Sequence, residues 1–223
     1  MSLRVLDLYC GAGGASYGIY LACIKHGVRC EIVGVDFMPQ PSYPFKFLQA
    51  DVLHLPIKFL KDFDFIWASP PCQAYSWAAK RWHKKYPDLI GETRKMLLDS
   101  NVPFVIENVV GSPLRKDLVL CGRMFKLKVI RHRIFEVEGF CVLQPFHPRC
   151  RGLIKKGLAY TVAGSGGNSK SCKLSVWKRA MGIDWMNKKE LTQAVPPAYS
   201  MYIFEWFIRS VVYGRDENDG RSL

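Results

Sequence analysis

The 223-residue sequence has no apolar run long enough to cross a membrane as a helix. Met1-Ser2-Leu3-Arg4 leads straight into a strand-like segment, so no signal peptide is expected. A soluble, cytoplasmic protein without a membrane partner is expected. None of the eight cysteines forms a Cys-x-x-Cys pair. A chain of this size builds a core without covalent staples, so the thiols are read as reduced. No internal repeat is present, which excludes solenoids and propellers. Acidic residues are scarce in one region. Residues 115–189 carry 17 basic and 4 acidic side chains and so hold the whole +13 net charge. That concentration fits a polyanion-binding face, with a solvated basic surface as the plainer alternative.

What the chain does contain alternates between strand-like and helical stretches. Arg4–Tyr9 is apolar and β-prone. It runs into the glycine loop Cys10–Ala15, and Tyr17–Ala22 continues as a helix. A strand, a glycine loop and a helix together form the nucleotide-cradling unit of doubly wound folds. Ser16, however, stands where a dinucleotide fingerprint has Gly or Ala, which weakens an NAD reading. Glu31–Val35 reads as a second strand closed by Asp36, an acidic residue placed either to accept from ribose hydroxyls or to cap a turn. Asp51 ends a third strand or turn. Phe63–Trp67 reads as a fourth strand and Val102–Ile106 as a fifth, followed by Glu107-Asn108-Val109. Val119–Met124, Lys126–Ile130 and Ile134–Val137 look like further strands. Asp88–Ser100, Trp177–Ile183, Asn187–Gln193 and Ala198–Tyr213 look like helices.

The stretch Ala68-Ser69-Pro70-Pro71-Cys72-Gln73 follows the fourth strand. Two prolines end the ladder, and a cysteine sits directly after the stiff turn. Alone, this is either a buried thiol or a nucleophile offered at the carboxyl edge of a sheet. Arg131-His132-Arg133 alternates, so an extended backbone would point both arginines to one face.

Taken in order, these motifs resemble the DNA (cytosine-5) methyltransferases, in a compact form with a very short target-recognition segment. The similar stretches are Asp7–Gly14, Asp36, Asp51, Pro71-Cys72-Gln73, Glu107-Asn108-Val109, Arg131-His132-Arg133 and Gln193–Pro197. The resemblance implies an α/β, Rossmann-like fold with a mostly parallel sheet that uses S-adenosyl-L-methionine. Cys72 would attack C6 of a flipped-out cytosine, and neighbouring cations would lower its pKa. Glu107 would hold or protonate N3, Asn108 would position the loop, and Arg131 and Arg133 would bind the base and hold Glu107. Asp7, Tyr9, Gly11, Gly13, Gly14, Asp36, Asp51, Val52 and Pro71 would bind the cofactor, and the helix after Pro197 would complete the pocket. Gln73, Ser76, Lys80, Arg81, Lys84, Lys85 and Lys170 would contact nucleic acid, with Gln73–Lys85 as a lid. The partner implied is double-stranded DNA, met by a monomer in a bacterial or phage-infected cell, as part of restriction–modification.

The resemblance divides the chain into a catalytic core (1–137), a short recognition segment (138–172), a part returning to the core (173–213) and a disordered tail (214–223). A segment so short leaves room for a specificity partner. Cys141, His147, Cys150 and Cys172 could ligate zinc there, but their spacing fits no standard pattern and no metal is expected. Three other functions stay open: cytosine-5 methylation of RNA, since one branch with these motifs acts on tRNA; nucleic-acid binding without catalysis; and, last, adenine or cytosine amino methylation, whose enzymes have an aromatic after Pro-Pro where this chain has Cys72.

Overall fold

The computed structural model describes residues 2–75, 86–163 and 172–213. The opening apolar run forms β1 (Ser2–Leu8), and the glycine loop leads into α1 (Gly14–His26). Gly13 and Gly27 bracket α1 in the left-handed region, with φ of 82° and 64°, a conformation glycine adopts without a Cβ penalty. There follow β2 (Arg29–Asp36), β3 (Lys46–Gln49), the one-turn α2 (Ile57–Leu60), β4 (Phe65–Ala68), α3 (Ile90–Ser100) and β5 (Phe104–Val109). The later part adds β6 (Leu118–Leu120), β7 (Arg133–Glu138), α4 (Leu174–Met181), α5 (Lys188–Gln193) and α6 (Pro197–Ile208). Asn187 caps α5 by accepting from the Lys189 and Glu190 amides, while Glu190 reaches back to the Asn187 amide.

Among the described residues the strands form one sheet in the order β3-β2-β1-β4-β5-β7-β6. β1 to β5 are parallel, and β7 runs antiparallel to both of its neighbours. This is the mostly parallel, Rossmann-like sheet expected. From β1 the chain winds outward through β2 and β3, then returns to place β4 on the other side. The carboxyl ends of β1 and β4 therefore border the crevice where open sheets bind ligands.

Strand alternation sorts the core onto two faces. Val5, Phe65, Trp67 and Val105 pack with α1 and with Tyr199, Ile203, Phe204 and Phe207 of α6. Leu6, Ile66, Ala68 and Ile106 pack against Leu60, Ile90, Met96 and Leu97 of α2 and α3. Arg94 of α3 clamps the buried Glu136 of β7 with two bonds of 2.7 Å. No described helix is long and apolar enough to cross a membrane.

Three expected elements differ. The strand over Val119–Met124 is only Leu118–Leu120, because Gly122–Phe125 turns as a 3-10 helix. Lys126–Ile130 is not a strand; Val129 makes an isolated bridge to Tyr160. The helix expected to reach Tyr213 changes at Arg209 into a π-helical turn. All eight cysteines are free thiols.

Gly18 is the tightest helix contact. A Cβ there would lie 2.0 Å from the Pro197 carbonyl oxygen and 2.2 Å from Ser200 Oγ, so α1 and α6 would have to separate. Gly18→Ala is expected to destabilise the protein by about 2–3 kcal/mol in urea unfolding. Gly91→Ala, where a Cβ meets nothing within 4 Å in α3, is expected to be neutral or to stabilise by up to about 1 kcal/mol.

Candidate active site

At the carboxyl edge of the sheet lies a cavity of 540 Å³ whose walls come from nearly every part of the chain. One end is acidic. Asp7, at 0 % exposure, is approached by the Ser16 hydroxyl on one carboxylate oxygen, while Oδ1 has no partner. Burial pushes its pKa up to about 7, opposed by Ser16. Ser16 thus has a defined job at the position that departs from a dinucleotide fingerprint, and its hydroxyl also meets Tyr43 OH at 2.7 Å.

Asp36 holds the glycine loop, accepting from the Gly11 amide at 3.0 Å, and caps the next turn by accepting from the Met38 amide at 3.0 Å. Asp51 accepts from the Leu53 amide at 3.1 Å and so caps the turn that carries Val52. Two of the acidic residues are therefore turn caps, and each keeps lone pairs for a ligand. Tyr9 has a φ of 56°, unusual for a residue with a side chain. Its hydroxyl is tied to Thr93 at 2.9 Å, and burial raises its pKa to about 12.

The other end holds the thiol. Asp7, Tyr9, Gly11, Gly14, Asp36, Asp51, Val52, Pro71, Cys72, Gln73, Glu107, Arg131 and Arg133 all line this one cavity. Glu107 and Asn108 are consecutive strand residues and point to opposite faces. Glu107 faces the cavity. Asn108 lies behind it and donates to the Pro70 carbonyl at 2.9 Å, pinning the proline turn that presents Cys72. Arg133 Nε stands 2.7 Å from Glu107 Oε1. Burial still raises the Glu107 pKa, against the pull of Arg133 and Arg131.

Several site expectations change. Neighbouring cations were expected to lower the Cys72 pKa, but burial raises it above the ordinary thiol value, and Arg133 and Arg131 only oppose that rise. Arg131 lines the cavity and keeps a buried, unpartnered Nε, but the rest of its guanidinium is held by the backbone. Its two terminal nitrogens donate to the Val162 and Thr192 carbonyls, each at 2.7 Å, and burial pulls its pKa down to about 9. Gly13 does not line the cavity, because a Cβ there would meet Pro44 Cδ at 2.7 Å. The helix after Pro197 packs on α1; the wall of the cavity is Glu190 and Thr192–Val195, just before it. Ser76, Lys80, Arg81, Lys84, Lys85 and Lys170 lie outside the described residues.

Sequence reasoning missed three contributors. Ser69 accepts from the Trp67 indole at 2.9 Å and bonds the Glu107 carboxylate; its signal was its place directly before the two prolines. Phe37 lines the cavity at 67 % exposure, a large apolar ring left open beside Asp36. Trp185 donates to the Ala12 carbonyl at 2.9 Å and holds the glycine loop from far along the chain; no local signal marks it.

The raised Cys72 pKa has a measurable consequence. Only the thiolate alkylates, so iodoacetamide labelling of Cys72, followed by peptide mass spectrometry, should keep accelerating above pH 9. Arg133→Gln removes the leading opposing cation and should slow labelling at pH 8 several-fold. A Cys72 inflection below pH 8, or faster labelling in Arg133→Gln, contradicts this balance.

Comparison with known proteins agrees with this geometry. Residues 3–115 match the pattern of the C-5 cytosine-specific DNA methylases. The chain is 29 % identical over 120 residues to the type II methyltransferase M.NgoBV of Neisseria gonorrhoeae and 28 % identical to M.NlaIV of Neisseria lactamica. Each match takes in 49 % of this chain and 28 % of the relative, so the chain spans little more than a quarter of their length. The fold is that of the S. pombe Dnmt2 methyltransferase, with a TM-score of 0.63 at 15 % identity, covering 95 % of this chain and 99 % of that one. The Entamoeba histolytica methyltransferase EhMeth superposes with a TM-score of 0.65 at 12 % identity and the same coverage. With its thiol, its buried carboxylate and its matching first half, the chain belongs to the C-5 cytosine-specific DNA methylase family.

Proposed function

We propose that the chain methylates C5 of cytosine in DNA, using S-adenosylmethionine and a covalent bond between Cys72 and C6 of the base. The observation that carries this reading is the convergence of Cys72, Glu107 and Arg133 at one end of a cavity whose other end is acidic and lined by a glycine loop.

The cofactor fits the residues present. Asp7 Oδ1, buried and without a donor, suits a cationic or N–H group. Asp36 would take ribose hydroxyls and Asp51 an adenine amine. Val52 and the open Phe37 ring would flank the base of the nucleoside, and Tyr9 and Gly11 would meet the methionine part. S-adenosylmethionine bound there supplies an electrophilic methyl group.

The protein's own residues prepare the cytosine. C5 is a poor nucleophile until sulfur adds at C6. The Cys72 S–C6 bond forms with the thiolate's electron pair, and the ring electrons shift toward C5 and N3. Glu107, whose pKa burial raises, carries the proton that N3 needs as this charge builds. Arg133 orients that carboxyl. Once C5 carries the methyl group, water would take the C5 proton, the C5–H electron pair would re-form the C5–C6 double bond, and the S–C6 pair would return to Cys72 as thiolate. A burial-raised thiol stays neutral at rest, so its proton must leave as the base docks. The thiol and the carboxyl lie inside a cavity, so the target base leaves the duplex to reach them. The basic residues of 115–189 would hold the backbone phosphates.

The test is trapping. DNA containing 5-fluorocytosine, incubated with the protein and S-adenosylmethionine, should give a denaturation-resistant adduct. An adduct that persists in Cys72→Ala, or none on any cytosine-containing DNA, overturns the assignment. The matching RNA substrate, tried in parallel, decides the nucleic acid. Glu107→Gln should keep cofactor binding in calorimetry and lose at least about 100-fold in turnover; unchanged turnover removes Glu107 from the chemistry.

A further inference from the structure

The segment after β7 has no regular secondary structure from Cys141 to Cys150 and only turns and a bend over 151–158. It is clasped to the sheet edge at few points. Gln144 bonds the Val119 amide and carbonyl, and Tyr202 OH donates to the Leu143 carbonyl. At its far end four side chains converge: Cys121 after β6, His132 just before β7, and His147 and Cys150 from the irregular segment. Their candidate donor atoms all lie within 4.8 Å of one another.

We propose that Cys121, His132, His147 and Cys150 form a structural zinc site. The distances match a tetrahedral shell. Metal bonds of about 2.3 Å to sulfur and about 2.0 Å to nitrogen put two sulfurs ~3.8 Å apart, sulfur and nitrogen ~3.5 Å apart and two nitrogens ~3.3 Å apart. The two sulfurs are 3.7 Å apart, Cys150 Sγ is 3.8 Å from His147 Nε2, and the two histidine Nε2 atoms are 3.0 Å apart. The sulfurs are too far apart for a disulfide, whose bond is about 2.0 Å. Two thiolates and two imidazoles at tetrahedral spacing select zinc among the common divalent ions. All four positions are filled by protein, as in a structural rather than a catalytic centre. On binding, the two thiols release their protons to solvent and their lone pairs go to the metal.

The set differs from the one the sequence suggested. His147 and Cys150 belong to it, a His-x-x-Cys pair around Pro148. Cys141 lies elsewhere, beside Arg115 and Phe140, and Cys172 packs with the Trp177 cluster. Their partners come instead from the β6–β7 connection, far back in the chain. The site would join the irregular segment to the strand edge. It would also fix His132, whose carbonyl accepts from Arg133 Nη1 at 2.9 Å, so the metal stands directly behind the arginine that faces Glu107.

The test needs no substrate. Protein purified under reducing conditions should carry about one zinc per chain by plasma mass spectrometry. Metal-stripped protein titrated with Co²⁺ alone should show the intense visible bands of a tetrahedral thiolate site. Cys150→Ser and, separately, His147→Ala should weaken Zn²⁺ binding by more than about 100-fold, beyond what loss of a supporting contact costs. Cys141→Ser and Cys172→Ser should retain it. Fewer than about one chain in ten holding zinc after reconstitution, an octahedral Co²⁺ spectrum, or full zinc content in Cys150→Ser would each overturn the proposal. If a variant fails to fold, the Co²⁺ spectrum of the native protein decides alone.

Discussion

The site depends on β7 running against its neighbours. β1 to β5 all point the same way, so their carboxyl ends share one edge. Because β7 is antiparallel, its first residue lands at that edge, with Arg133 opposite Val109 and close to Glu107. A parallel β7 would carry Arg133 to the other end of the strand, roughly 17–20 Å away at about 3.3 Å per residue. The turn before β7 inherits the same placement. Arg131 is drawn under the cavity, and its carbonyl is held by Tyr199 OH at 2.6 Å.

Around that edge, burial and charge pull against each other. Cys72, Glu107 and Asp7 all have raised pKa values because desolvation outweighs the nearby cations and hydrogen bonds. The resting cavity therefore favours protonated groups. For Glu107 this would suit donation to a ring nitrogen; Asp7, with a pKa raised to about 7, would ionise as a cationic ligand group approached its unpartnered oxygen. For the thiol it means that a nucleophilic Cys72, as proposed, would have to ionise when the substrate arrives. Arg133 at the start of β7 and Arg131 in the turn before it lessen the cost of that ionisation without abolishing it.

The C-terminal part works as a brace. Val195 carbonyl packs where a Gly14 side chain would be, and Pro197 where a Gly18 side chain would be. These two glycines answer to α6 and the segment before it, not only to a ligand. Trp185 on Ala12 and Arg131 on Thr192 close the same seam. The wall of the cavity thus forms only once the last quarter of the chain has returned to the first.

The order of apolar runs, the glycine loop, the acidic strand ends and the Pro-Pro-Cys turn were legible one residue at a time. They rest on local rules: alternation, left-handed glycine and the missing N–H of proline. From them the sequence determined the sheet, the site edge and the thiol. The tertiary structure decided what those rules cannot carry. Whether Cys72 rests as thiol or thiolate depends on how deeply it is buried among elements from several parts of the chain. Arg131 became a brace because two carbonyls, at Val162 and Thr192, happen to meet it. Phe37 and Trp185 gained roles only through distant neighbours. The zinc set shows the difference most plainly. The sequence suggested Cys141, His147, Cys150 and Cys172; only His147 and Cys150 belong to the cluster, and Cys121 and His132 join them through the fold of the β6–β7 connection, because spacing along a chain does not report distance in space.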